Sequence, residues 1–189
     1  IMSWALVKDG SIDTFYDRQK AITLNGIQYP KNMFTLYSTS ELKALGIYEV
    51  VEKDWPDHNF YDVGAPSYAY NAGTDTVNED FTVTPKNVDK LKTDLIAATN
   101  DQGMSRICML DWIAARYIFD NTKSVPSAVT TYVAAIRSHC STITAAIEGC
   151  SDLDAIKVVH AKMYADDGVY NTGWPDDKDV KIYKRAGLP

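Results

Sequence analysis

The pattern of apolar and polar positions changes character near Thr84-Pro85. Short extended runs punctuated by turn dipeptides come before it, and a helical spacing of three and four comes after. Trp4-Ala5-Leu6-Val7-Lys8 meets Asp9-Gly10 and resumes as Ser11-Ile12-Asp13-Thr14-Phe15-Tyr16. Ala21-Ile22-Thr23-Leu24 meets Asn25-Gly26 and resumes as Ile27-Gln28-Tyr29. Both dipeptides favour the positive φ angles of a tight turn, so two consecutive hairpins are predicted. Ser40 to Gly46 reads as a short helix ended by glycine, and Ile47 to Glu52 returns to an extended pattern. From Trp55 to Phe81 the composition shifts to tyrosine, asparagine, glycine and proline. Tyr68-Ala69-Tyr70 and Phe81-Thr82-Val83 are the candidate paired strands there, around a loop from Asn71 to Glu79.

Thr84-Pro85 suits a cap and first-turn pair. Beyond it Val88, Leu91 and Leu95 share one helical face, and Asn100 to Gly103 is read as an interruption. Ile107, Leu110, Ala114, Tyr117 and Ile118 then continue the stripe. A further helix carries Pro126 in its first turn. Its apolar face repeats at three and four through Val129, Tyr132, Val133, Ile136, Cys140, Ile143 and Ile147, and Gly149 ends it. Asp152 to about Met163 gathers Leu153, Ile156, Val159 and Met163 on one face. Helices with such short connections are expected to pack as antiparallel neighbours. The expectation is therefore an α+β chain: an N-terminal antiparallel β-hairpin region with an aromatic loop segment over 1–84, a small helical bundle over 85–164, and an irregular tail over 165–189.

Composition narrows the classes of function. The chain has 189 residues, 46% hydrophobic and 23% charged, which is enough for a buried core and is the balance of a folded globular protein. No apolar run reaches the length of a membrane span, so no membrane insertion is expected. The start, Ile1 to Lys8, has no basic flank, long apolar core or small-residue cleavage site, and synthesis in a cytoplasm is expected. A formal net charge of -6 disfavours nucleic acid as a partner, because phosphate contacts need clustered Lys and Arg. The densest positive run, Lys178 to Arg185, is interleaved with Asp179 and preceded by Asp176 and Asp177, and reads as a solvated tail.

Candidate chemistry is sparse. Cys108, Cys140 and Cys150 form no CxxC pair, so neither a zinc site nor a disulfide framework is expected. His58, His139 and His160 are isolated in sequence. There is no GxSxG elbow, phosphate loop, HExxH helix or dinucleotide turn, and no catalytic residue, metal or cofactor is predicted. The aromatics Phe60, Tyr61, Tyr68 and Tyr70 suit either the packing of a thin sheet or a surface that contacts glycan or a partner. Asp111-Trp112 stands out because it sets a carboxylate beside the largest apolar side chain, within a helix that also carries Arg116. Asp111 is expected to accept a hydrogen bond or to pair with Arg106 or Arg116, and Trp112 to bury its ring against the following helix while its indole N–H finds a partner.

At these residues the chain resembles bacteriophage tail-fibre and fibre-associated virion proteins. Those proteins carry Leu-x-x-Thr-Asp-Trp-x-x-x-Arg, then an acidic residue, then Val/Ile-Pro, then Tyr-Arg-x-x-Ile/Leu-Arg. The corresponding residues are Leu110-Asp111-Trp112 with Arg116, Asp120, Val125-Pro126, and Tyr132-Val133 with Ile136-Arg137. Leu110 replaces the usual threonine and Val133 the first arginine, which removes a hydroxyl cap and part of the polar network. Trp4 to Gly10, Asn25 to Pro30 and Glu41 to Tyr48 are similar to the openings of such proteins. The resemblance implies a non-enzymatic tail component: a fibre, baseplate or adaptor subunit present in several copies or as a homo-oligomer, with other tail proteins as partners and the virion as its location. Asp111, Trp112, Arg116, Pro126, Tyr132 and Arg137 become structural and assembly residues on this reading, with Tyr68 and Tyr70 as a further contact surface. A fibre-assembly chaperone and a host-glycan-binding module are the alternatives.

Overall fold

The structure is a computed structural model that describes residues 3–16, 20–120, 122 and 124–183. It is a mixed α+β chain that divides into two compact units, 1–84 and 85–189.

The first unit is built on a five-stranded sheet. Strands β1 (Ser3–Lys8) and β2 (Ser11–Tyr16) form the first expected hairpin, and β3 (Ile22–Leu24) and β4 (Ile27–Tyr29) form the second. Asp9 and Gly10, and likewise Asn25 and Gly26, all have positive φ, the conformation that two-residue hairpin loops need. Helices α1 (Met33–Leu36) and α2 (Thr39–Ala44) follow, then β5 (Ile47–Val51), β6 (Tyr61–Asn71) and β7 (Thr76–Pro85). The sheet order is β2-β1-β5-β7-β6, while β3 and β4 pair only with each other.

Helix α2 begins one residue earlier than the glycine-ended pattern suggested, because Ser38 and Glu41 form a reciprocal capping box. The β6–β7 hairpin is longer than expected: residues 76–79, read as loop, belong to β7. β5 and β7 run parallel, with Val50 opposite Val77. Period-two patterning does not encode that pairing.

Each face of this sheet has its own core. Trp4, Leu6, Tyr16 and Ile47 pack on Ile22, Leu24, Met33 and Leu42. On the other face Ala5, Val50 and Val77 gather Val7, Ile12, Tyr48 and Tyr70. The register slips between Leu6 and Val7, so Leu6 faces Thr14 while Val7 faces Ile12. This bulge moves Ile12 to the face opposite Thr14 and Tyr16, where strict alternation would not put it.

The second unit is helical. Its elements are α3 (Val88–Ile107), a 3-10 turn at Cys108–Leu110, α4 (Asp111–Phe119), α5 (Ser127–Glu148), α6 (Leu153–Tyr164) and the short α7 (Val169–Thr172). The cap of α3 is Asn87, whose side chain accepts from Lys90 N, and not Thr84-Pro85. Thr84 and Pro85 remain in β7, since a residue before proline is driven toward extended backbone. Pro126 sits one residue ahead of α5, as its N-cap, with Gly149 closing the other end. No helix among the described residues is long and apolar enough to cross a membrane.

Asn100 to Gly103 does not interrupt α3. Gly103 is buried inside it, and a Cβ there would lie 2.5 Å from Cys140 Sγ and 3.6 Å from Ile136 Cγ2. Glycine serves close approach here, and α3 runs antiparallel to α5. Lys92 Nζ reaches the Glu148 carbonyl at one end, and Leu110 and Ile113 pack with Val129 at the other.

The tail also differs from its expectation. Val180 is 1% exposed within the core of Leu110, Ile113, Val129, Tyr132 and Ile136, and a 3-10 turn forms at Lys181–Tyr183. The chain from Gly168 to Tyr183 thus folds back on the helices, and the positive run is not wholly a solvated tail. Lys184 and Arg185 lie outside the described residues.

Gly103→Val would push a branched side chain into Cys140 and Ile136. The expected loss is about 1–3 kcal/mol, the usual range for overpacking. In a Cys140→Ala background the loss should be smaller, measured by chemical denaturation of the four-member cycle. Equal losses in both backgrounds would show that Cys140 is not what keeps position 103 bare.

Candidate functional site

The residues from Asp111 to Arg137 lie on the two antiparallel rods of the helical unit. The 3-10 turn at Cys108–Leu110 links α3 to α4 and brings Leu110 and Ile113 inward. Asp111 then opens α4 on the solvent side, where a carboxylate in the first helical turn is favoured by the helix dipole. Among the described residues no ion pair joins Asp111 to Arg106 or Arg116, contrary to expectation. Positions five apart on a helix are offset by well over a third of a turn, and Arg106 has other contacts. Its guanidinium lies 4.1 Å from the centroid of the Trp174 ring and donates to the Gln102 carbonyl at 3.1 Å.

Trp112 is half-buried. Its indole N–H donates to the Tyr183 carbonyl at 2.7 Å, so the acceptor comes from the C-terminal segment. Arg116 and Pro126 line a recess of about 60 Å³ with Trp112, Tyr117 and Tyr183. Tyr132 is buried beside Ile136, whereas Arg137 is exposed. Asp111 and Arg137 come together as walls of one groove, made of adjoining recesses of about 290 and 600 Å³. Among the described residues they are its only charged lining residues. Ile107 shares both recesses. Ala114 and Met104 extend the α3–α4 wall, and Thr130 and Ala134 extend the α5 wall. Past Ala114 the same helix ends in Tyr117, Ile118 and Phe119, with Ile118 76% and Phe119 90% exposed.

Sequence reasoning missed the Trp174 cluster. The ring lies between Arg106 and His139, whose imidazole meets it edge-on at 4.7 Å while Nε2 lies 3.0 Å from the Tyr170 carbonyl. A tryptophan inside a stretch otherwise read as tail was the available signal, since so large an apolar surface is seldom left in water. Cys140 faces the α3 backbone, and burial pushes its thiol pKa up. Among the described residues, no group of three or more His, Cys, Asp or Glu side chains is placed to hold a metal ion.

In the β unit, Tyr68 and Tyr70 have committed hydroxyls. Tyr68 donates to Glu79 Oε1 at 2.8 Å, and Tyr70 donates to Asp75 Oδ1 at 2.9 Å. Their rings pack on Phe15, at 4.8 Å between centroids, and on Tyr48, at 4.7 Å. Phe15 and Tyr68 stand on β2 and β6, the two edges of the sheet, so this pair marks where a curled sheet brings its edges together. Phe60 is buried and Tyr61 half-buried. The aromatic segment is mostly occupied with packing. Its most open large ring is Trp55, which lies against Phe81 and His58.

No protein-family model, no curated protein and no solved structure matches this chain.

The hydrogen bond with Tyr48, and then the bond to Asp75, raise the pKa of Tyr70 above its ordinary value of 10.0. The neutral phenol is the favoured form in the fold. Its contribution is complete below pH 10.0 and is lost as pH rises through the raised folded value. Titration of phenolate absorbance should give a late-ionising tyrosine that Tyr70→Phe removes and Tyr48→Phe moves back toward the ordinary range. An unshifted late phase in Tyr48→Phe would show that Tyr48 is not what raises it, and its survival in Tyr70→Phe would assign it to another residue.

Proposed function

We propose that the chain is a non-enzymatic structural subunit of a bacteriophage tail, a fibre, baseplate or adaptor component that joins neighbouring tail proteins. The observation that carries this reading is the open apolar end of α4, where Ile118 and Phe119 stand in water beside the groove between α4 and α5. Adjacent large apolar side chains left this exposed on an ordered helix are characteristic of a surface that is covered in the working assembly, because each gains on the order of 1.5–3 kcal/mol when fully buried.

The resemblance of Leu110 to Arg137 to tail-fibre and fibre-associated proteins supports the same assignment, since Leu110, Asp111, Val125, Val133, Ile136 and Arg137 of the motif line that groove. Two units with separate cores also suit an adaptor, which needs two surfaces for two neighbours. On this reading Trp112, Pro126 and Tyr132 hold the helices in place. Asp111, Arg137 and the end of α4 meet partners, and the protein's location is the virion tail.

Mass spectrometry of purified virions, calibrated against labelled peptides of this chain, tests the proposal. The chain is expected in several copies per particle. Its presence in infected lysate and absence from virions would overturn the structural role and favour an assembly chaperone.

A further inference from the structure

The groove between the two rods has a property that bears on what fills it. Along α3 and α4, Met104, Ile107, Asp111, Ala114 and Ile118 follow one another at spacings of three and four, the spacing of a helical seam. Four of these five line the recesses, and Ile118 lies one turn beyond Ala114 on the same face. The seam is apolar except at Asp111, and the facing wall on α5 carries Arg137.

These two charges are staggered along the groove. Gly103 meets Ile136 and Cys140, so the backbone of Arg137 stands near the level of Gly103, eight residues before Asp111 and across the 3-10 turn from it. Both side chains line both recesses, and among the described residues no ion pair joins them within one chain. Opposite charges on facing walls make the surface complementary to itself. A two-fold axis lying in the plane of the groove, across the line from Asp111 to Arg137 at its midpoint, carries each charge onto the position facing the other.

We propose that this groove is a two-fold interface with a second copy of the chain, in which Asp111 of each copy pairs with Arg137 of the other and the seam from Met104 to Ile118 is buried between them. The inference rests on the reading of this face as an assembly surface and adds the identity of the partner. Among the described residues the groove holds one carboxylate and one guanidinium, a balance with no electrostatic preference for an acidic or a basic partner. It is matched in sign by its own copy, with two ion pairs per dimer. Closure about a two-fold axis also limits growth at this face to a pair, which suits a subunit that must leave other surfaces for different neighbours.

Sedimentation equilibrium of the full chain provides the test, with the wild type, Asp111→Arg, Arg137→Asp, the double reversal, and Ile118→Glu. The wild type should be a dimer. Each single reversal should raise the dimer Kd about tenfold or more, and the double reversal should return it toward the wild-type value. Ile118→Glu should give a monomer with the thermal unfolding of the helical unit unchanged, and it reads the same interface if a charge reversal impairs folding. A wild type that is monomeric throughout, a dimer indifferent to the single reversals, or single reversals that their combination does not rescue would each overturn the proposal. A monomeric wild type that is nevertheless present in purified tails overturns the two-fold interface and leaves the tail assignment standing. Dimers rescued by the double reversal, from a chain missing from tails, do the reverse.

Discussion

At Gly103 the absence of a side chain lets α3 settle against α5 until the Cys140 sulfur occupies the space a Cβ would take. The helical unit is arranged around that approach. It sets the antiparallel alignment that brings Lys92 to the end of α5 and stacks Leu110 and Ile113 on Val129. It also fixes the offset between Asp111 on one rod and Arg137 on the other. The C-terminal segment closes over the far side, with Val180 in the core, Tyr183 accepting from Trp112, and Trp174 held between Arg106 and His139. The segment covers one side of the helix pair, and the groove with its open α4 end lies on another.

What could be read in the sequence was whatever the backbone itself demands. Asp9-Gly10 and Asn25-Gly26 encode positive φ directly, and both hairpins formed where those dipeptides stand. The long periodic face of α5 was equally plain, because Val129, Tyr132, Ile136, Cys140, Ile143 and Ile147 repeat at three and four, and all but the half-buried Cys140 are buried. Gly103 was misread for a sound local reason. A glycine inside a helix costs about 1 kcal/mol relative to alanine, so it argues for an interruption until the facing helix is known. The bulge that turns Ile12 over, the parallel pairing of β5 with β7, and the return of the tail all depend on residues distant in sequence, and no local pattern announces them.

The candidate site was partly legible in the same sense. Asp111-Trp112 drew notice as a charged and aromatic pair, and both residues occupy informative positions, but the partner of Asp111 was misjudged. Helical spacing suggested Arg106 or Arg116 for Asp111. The structure gives Arg106 to Trp174 and leaves Asp111 at the edge of a groove, facing solvent. Trp112 packs against the cluster that holds Val129, Tyr132 and Ile136 of the following helix, as expected, and its indole N–H finds its acceptor in the tail. Arg137 was singled out for its place in a motif, and its meaning as one half of a staggered pair emerges only when two helices are aligned. The tyrosines of the β unit turned out to be bonded to acidic neighbours and packed on other rings.

Oxidative footprinting tests the central claim, that the open end of α4 is covered in the assembly where the protein works. Phe119, at 90% exposure, and Met104, at 63%, should be labelled heavily by hydroxyl radicals in the isolated chain at a dilution where it is monomeric. In intact particles that carry the chain, labelling of both should fall several-fold, while the exposed Trp55 of the other unit serves as a separate reference. Equal labelling of Phe119 and Met104 in the particle and in the dilute chain would contradict the account, because the face would then be open where it is supposed to hold a partner.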